Sequence, residues 1–156
     1  MVHISTNAVF APHPTRLWLP GDKPKPSTPY ENAKLYGEDP RAYIIRSSFV
    51  GVSTGPPRGV LDAMLRGEPF WDRDWNGVTT VTLARRVAEV LRIPGIARGL
   101  EHLHSSSVTS FANVARLIGS TSQVLGIRSD AKLLGGGLPT PPLELQVAEL
   151  LKRVVY

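Results

Sequence analysis

Thr28-Pro29-Tyr30-Glu31-Asn32-Ala33-Lys34-Leu35-Tyr36-Gly37 is the stretch on which the fold of this 156-residue chain turns. A hydroxyl residue followed by proline starts a helix well. The side chain caps free backbone N–H groups, and proline's fixed φ suits the first turn. Gly37 marks the expected end. Tyr30 and Lys34 stand four residues apart, just over one turn, so both project from the same side of the helix. An ammonium near a phenol favours the phenolate and lowers a pKa that is otherwise about 10. Such a pair can serve as a general acid or base. The same spacing also occurs on a solvated helix with one aromatic at its edge.

Two apolar, β-branched runs flank this helix, at residues 2–5 and 42–46, and read as short buried strands. Between the first run and the helix, Pro12, Pro14, Pro20, Pro24 and Pro26 forbid helix or central strand. Residues 7–27 therefore read as a loop long enough to be functional or disordered. Downstream, a short helix is expected over 58–66, closed by Gly67. Residues 79–92 form an amphipathic helix, with Leu83 and Val87 on its core face and Arg85 and Arg86 on its solvated face. A strand over 99–104 follows, and then a helix capped by Val108-Thr109-Ser110 that carries Phe111, Val114, Ala115 and Ile118. Residues 70–77 show no clear periodicity, 127–142 read as irregular, and 143–154 close the chain as a helix. Strands alternating with helices argue for an α/β fold with a largely parallel sheet.

Hydrophobic residues make up 42% and charged residues 20%, the composition of a globular domain. Lysine and arginine exceed the acids by 18 to 13, a formal charge of +5. These cations are scattered, and no basic run, Arg85-Arg86 included, exceeds two residues, so nucleic acid is a poor fit and an anionic small molecule a better one. The absence of cysteine excludes disulfides, thiolate nucleophiles and cysteine-based zinc sites. No apolar stretch approaches a membrane span, and Met1-Val2-His3-Ile4-Ser5 shows no signal pattern. The expectation is a cytoplasmic protein without a membrane or nucleic-acid partner.

The surroundings of Tyr30 and Lys34 carry a resemblance. Residues 2–10, VHISTNAVF, resemble the "hISTDxVF" segment of the extended short-chain dehydrogenases/reductases, in particular the group related to dTDP-4-dehydrorhamnose reductase. YENAKLYGE at 30–38 is similar to that family's "YGxxKxxGE" block, and YIIRSSFVG at 43–51 to its "xxIRTSxxxG" strand and loop. WNGVTTVTLA at 75–84 and GLEHLHS at 99–105 resemble later family segments, all in the family's order. The resemblance implies an α/β fold made of the last strands of a Rossmann-type parallel sheet plus a small, mainly helical substrate-binding subdomain. It divides residues 1–50, a catalytic strand-loop-helix-strand portion, from 51–156, a substrate-binding portion of one incomplete domain.

The implied activity is NAD(P)-dependent reduction or epimerisation of a nucleotide-linked 4-keto sugar. Tyr30 would be the acid/base, Lys34 would lower its pKa and hold the nicotinamide ribose, and Thr6 would hold the reacting oxygen. Ser5, Arg46, Ser47 and Ser48 would lie by the cofactor, and Thr6, Asn7, Trp75 and Asn76 by the substrate. Ligands of open α/β sheets do bind at the carboxyl ends of strands. Two departures stand out. Asn7 replaces the family's usual aspartate. No G-x-G-x-x-G occurs, so the N-terminal dinucleotide-binding βαβ units are expected to be absent, and the chain is read as truncated, without the loop that cofactor-dependent activity needs. Gly135-Gly136-Gly137 precedes Leu138-Pro139 rather than a helix and reads as a flexible turn. The first strand would be an open sheet edge, to be covered by a second chain or by self-association. The rival reading is a non-catalytic nucleotide-sugar-binding or regulatory module of the same fold.

Other groups point less far. His102 and His104 share a strand face but have no third ligand, so packing is preferred to metal binding for them, as for His3. Trp71, Asp72, Arg73, Asp74 and Trp75 form an aromatic-charged cluster that suits either ligand contact or packing.

Overall fold

The computed structural model describes residues 1–96, 98–129, 131–133 and 140–154. The glycine run at 135–137 lies outside them. A parallel three-stranded sheet is built from β1 (Val2–Thr6), β3 (Tyr43–Ser47) and β7 (Gly99–Leu103), in the order β1-β3-β7. Its register pairs Val2 with Tyr43 and Thr6 with Ser47, and Ser47 in turn with Leu103. Thr6, Ser47 and Leu103 therefore lie level at the carboxyl ends.

Helix α1 (Pro29–Tyr36) joins β1 to β3 and begins as the sequence predicts. The Thr28 hydroxyl accepts from the Glu31 amide at 3.2 Å, and the Glu31 carboxylate accepts from the Thr28 amide at 3.0 Å. These reciprocal bonds satisfy two donors that a helix start otherwise leaves free. The helix stops at Gly37, whose φ of −74° is open to any residue. A Cβ there would meet His3 Cε1 at 3.0 Å, a tight contact that the imidazole would have to relieve by a few tenths of an ångström.

Helix α3 (Thr80–Arg92) joins β3 to β7 and covers one sheet face. Leu83 and Val90 pack with Ile45, Val78 and Leu103, and Ile4 and Tyr43 close the cluster. One expectation fails on this helix. Arg86 is not on a solvated face, because its guanidinium donates to buried Glu101 at 2.9 and 2.7 Å while the Tyr43 hydroxyl donates to the same carboxylate at 2.9 Å. Arg85, one residue earlier, does point outward and pairs with Glu149.

The opposite sheet face is closed by the proline-rich segment. It carries a 3-10 turn at Asn7–Val9 and a short strand β2 (Leu17–Trp18), which pairs with β10 (Lys132–Leu133) from far along the chain. Val9 and Phe10 are buried with Ala131 and Leu133, and Phe10 stacks on Trp18 at 5.1 Å. The segment is thus anchored to the sheet through Asn7, Val9, Phe10 and Trp18, while residues 12–16 stay exposed.

The remaining elements form a second core. Strands β4 (Phe49–Val50) and β6 (Val78–Thr79) pair in parallel, and β5 (Phe70–Trp75) lies between β8 (Thr109–Ser110) and β9 (Val124–Arg128). Helices α2 (Val60–Leu65), α4 (Phe111–Leu117) and α5 (Leu143–Val154) pack around Trp75, Phe111, Leu143 and Val147. Strands β5 and β9 fall where no regular element was expected. No helix among the described residues is long and apolar enough to cross a membrane.

Candidate functional site: a hydroxyl-lined cleft at the strand ends

A cleft of about 390 Å3 opens at the carboxyl ends of β1 and β3. Ile4, Ser5 and Thr6 line it from β1, Tyr30 and Lys34 from α1, Ser47, Ser48 and Phe49 from the end of β3, and Leu83 from α3. The phenol, the ammonium and the strand-end hydroxyl that the sequence singles out thus meet around one space. Phe49 and Leu83, an apolar wall, were not singled out. Their signal was position: Phe49 directly follows the Ser47-Ser48 pair.

Tyr30 is 58% exposed and lines the cleft. Lys34 is half-buried, with Nζ 6.0 Å from the Tyr30 ring centroid and donating to the Ile4 carbonyl at 3.2 Å. That one acceptor pins the ammonium to the end of β1 and leaves further donors, of the three it owns, for a ligand. Tyr43 offers a contrast. Burial first, and then its bond to Glu101, push that phenol's pKa up, which suits a structural donor.

Strand alternation sorts the other residues. Successive side chains point to opposite faces, and Arg46 lies on the face away from α3. Its guanidinium donates to Glu38 at 2.9 and 2.7 Å, reaches the Pro20 carbonyl at 3.4 Å and sits 5.1 Å from the Phe10 ring. The expected cofactor contact by Arg46 therefore gives way to a buried ion pair. Ser5 lines the cleft, but its hydroxyl donates to the same Glu38 at 2.6 Å. Burial pushes the Glu38 pKa up, and the bonds from Arg46 and Ser5 outweigh it, so the net shift is downward.

The expected substrate contacts are also tied inward. Thr6 accepts from the Ala8 amide at 3.2 Å, capping the 3-10 turn, and donates to Asn7 Oδ1 at 3.3 Å. Asn7 is 5% exposed, and its amide donates to the Ala131 carbonyl at 2.6 Å. An aspartate could not make that bond, which gives the departure from the family pattern a structural reason. Asn76 is buried, donating to the Leu133 carbonyl at 2.6 Å and accepting from its amide at 3.1 Å. Trp75 is buried too, and reaches the cleft only through its Nε1–H, which donates to Ser48 Oγ at 2.8 Å. Ser47 donates to the Leu103 carbonyl at 2.9 Å.

The aromatic-charged cluster and the histidines make contacts within the chain. Asp72 accepts from the Ala112 amide at 2.8 Å, Arg73 lies over Phe111, and Arg128 lies 4.0 Å from the exposed Trp71 ring. His102 and His104 each meet a backbone carbonyl through Nδ1, at 3.0 and 2.8 Å.

No family model matches the chain, and no curated protein matches it by sequence. Solved structures do. A dTDP-4-dehydrorhamnose reductase from Clostridium acetobutylicum is similar with a TM-score of 0.77 at 22% identity, over 99% of this chain and 66% of that one. The dTDP-4-dehydrorhamnose reductase of Bacillus anthracis, solved with NADP, gives 0.77 at 18% identity over 97% and 64%. A UDP-glucuronic acid 4-epimerase from Bacillus cereus, in complex with UDP-glucuronic acid and NAD, gives 0.68 at 17% identity over 99% and 62%. The chain spans somewhat less than two thirds of each of these structures. Over that span it has the Rossmann-type α/β fold of the dTDP-4-dehydrorhamnose reductases and their nucleotide-sugar relatives.

Proposed function

We propose that this chain forms the acid–base and substrate-holding part of an NAD(P)-dependent reductase or epimerase of nucleotide-linked 4-keto sugars. The observation that supports this reading is the meeting of Tyr30, Lys34 and strand-end hydroxyls around one cleft. The residues present fit the nicotinamide-ribose end of such a cofactor, since Lys34 has donors to spare for a ribose diol. The 156 residues contain no G-x-G-x-x-G to cradle its pyrophosphate. When bound, the nicotinamide supplies or removes the hydride.

This chain's own residues handle the proton and the geometry. Tyr30 gives its phenolic proton to the carbonyl oxygen as an alcohol forms, or takes one back in the reverse direction. Lys34, held by the Ile4 carbonyl, keeps a positive charge beside the phenolate that remains. Phe49 and Leu83 give one side of the cleft an apolar wall. One observation favours a second reading, a non-catalytic nucleotide-sugar-binding module: the Thr6 hydroxyl is already engaged at both ends within the chain.

Turnover of a dTDP-linked 4-keto sugar with NADPH tests the first reading. Wild-type turnover that falls steeply in Tyr30→Phe supports it. Sugar binding without turnover supports the second. A Tyr30→Phe protein as active as wild type overturns the acid–base role.

A further inference from the structure

A hydroxyl has one proton to give and two lone pairs to offer. Four hydroxyl side chains surround the strand ends, and three have already placed their proton. Ser5 gives its own to Glu38 at 2.6 Å, Thr6 to Asn7 at 3.3 Å and Ser47 to the Leu103 carbonyl at 2.9 Å. Ser48 differs. It accepts from the Trp75 indole at 2.8 Å, and among the described residues no acceptor takes its proton. Ser48 is half-buried and lines the cleft beside Tyr30 and Lys34.

We propose that Ser48, oriented by Trp75, is the hydroxyl that donates to the ligand's carbonyl oxygen, the task that the family resemblance gives to Thr6. The inference rests on the reductase or epimerase reading above. An indole N–H only donates, so it occupies a lone pair of Ser48 and turns the serine's own O–H away from itself. Hydrogen bonds in series polarise one another, which makes the serine a better donor. The arrangement is rigid. Trp75 is 1% exposed and meets Phe111 edge-on at 5.4 Å. Gly77 is the residue that lets it fold back, since a Cβ there would collide with both the Trp75 ring and the Ser48 carbonyl. That carbonyl also accepts from the Val78 amide at 2.9 Å, which fixes the serine backbone. Trp75 is a positioning residue in this scheme, and Ser48 is the group that touches substrate.

Steady-state kinetics with a dTDP-linked 4-keto sugar and NADPH, on wild type and on Ser48→Ala, Ser48→Thr and Thr6→Val, test it. A preorganised donor to a developing oxyanion is typically worth about 100-fold or more in kcat. Ser48→Ala is expected to lose about 100-fold in kcat with KM changed only a few-fold, and Ser48→Thr to recover most of it. Thr6→Val should lose less than Ser48→Ala. A second readout is the indole N–H resonance of Trp75, assigned by its loss in Trp75→Phe. It should move when sugar saturates the wild type and stay still in Ser48→Ala.

Ser48→Ala at the wild-type rate, or a Trp75 signal indifferent to bound sugar, overturns the inference and leaves the wider reading intact. A fully active Tyr30→Phe beside an impaired Ser48→Ala overturns the Tyr30 role alone. A wild type that neither binds nor turns over the sugar overturns both.

Discussion

The two sides of the strand ends use their polar groups in opposite ways: the covered face of β1 and β3 saturates Ser5 and Arg46, whereas the cleft draws its spare donors from α1 and from Ser48, just past β3. On the covered face, Arg46 and Glu38 are 5% and 7% exposed in their side chains, and bonds from Ser5 and to Pro20 complete the knot. In the cleft, Tyr30 is more than half exposed, and among the described residues Lys34 meets one acceptor and none takes the Ser48 proton. A buried charge is tolerable only when it is paired and hydrogen-bonded. Saturation therefore marks the groups that hold the fold together. Donors left over at a solvent margin mark those available to a ligand.

The sharpest way to break this division is at Tyr30. Tyr30→Phe removes a hydroxyl that no described residue depends on, so urea unfolding should match wild type. Turnover of the 4-keto sugar should fall by about 100- to 10,000-fold, the usual weight of a general acid. A comparable loss of stability would mean that the cleft face is also structural.

The covered face should respond the other way. Glu38→Ala leaves a buried guanidinium without its partner, which typically costs about 3–5 kcal/mol. Urea denaturation should show that loss. The double substitution Glu38→Leu with Arg46→Met should recover a large part of it, because neither charge then remains buried. Recovery would identify the loss as the cost of an unpaired buried charge.

The sequence carried the cleft better than it carried its surroundings. The helix at Tyr30 was legible because capping and turn spacing are local. Strands β1, β3 and β7 were legible as compact apolar runs. Strand β5 was not, because its register slips between Phe70 and Asp72, and the alternation that identifies a strand slips with it. Strands β2 and β10 are two residues each and exist only by pairing across more than a hundred residues. The same distance hid the role of Asn7. Arg46 was assigned to the cofactor from its place in a motif, although period-two alternation with Ile45 and Ser47 already set it on the other face.

Asn7 joins the two regions, since it accepts from Thr6 at the cleft and donates to Ala131 in the cover. Restoring the family's aspartate, Asn7→Asp, removes that donor and faces a carboxylate toward a carbonyl. An unsatisfied buried partner costs about 1–3 kcal/mol. The variant should therefore be less stable by chemical denaturation. An equally stable variant would show that the cover is held elsewhere.

The smallest effect is expected from protons on the covered face. Glu38 has its pKa held below the ordinary 4.5, by bonds from Arg46 and Ser5 that outweigh its burial. A carboxyl whose folded pKa is depressed binds fewer protons in the folded state than in the unfolded state over that range. Its contribution is complete above the unfolded pKa and is lost as pH falls through the folded one. The stability gap between wild type and Glu38→Gln should therefore stay constant from about pH 7 down to about pH 5.5, and narrow toward about pH 3. The cleft gives the comparison its control: Tyr30→Phe should track wild type over the same acid range, because no described residue hydrogen-bonds to the hydroxyl it removes. A gap between wild type and Glu38→Gln that widened in acid would mean that folding raises the Glu38 pKa instead of lowering it, so that the bonds from Arg46 and Ser5 do not outweigh its burial.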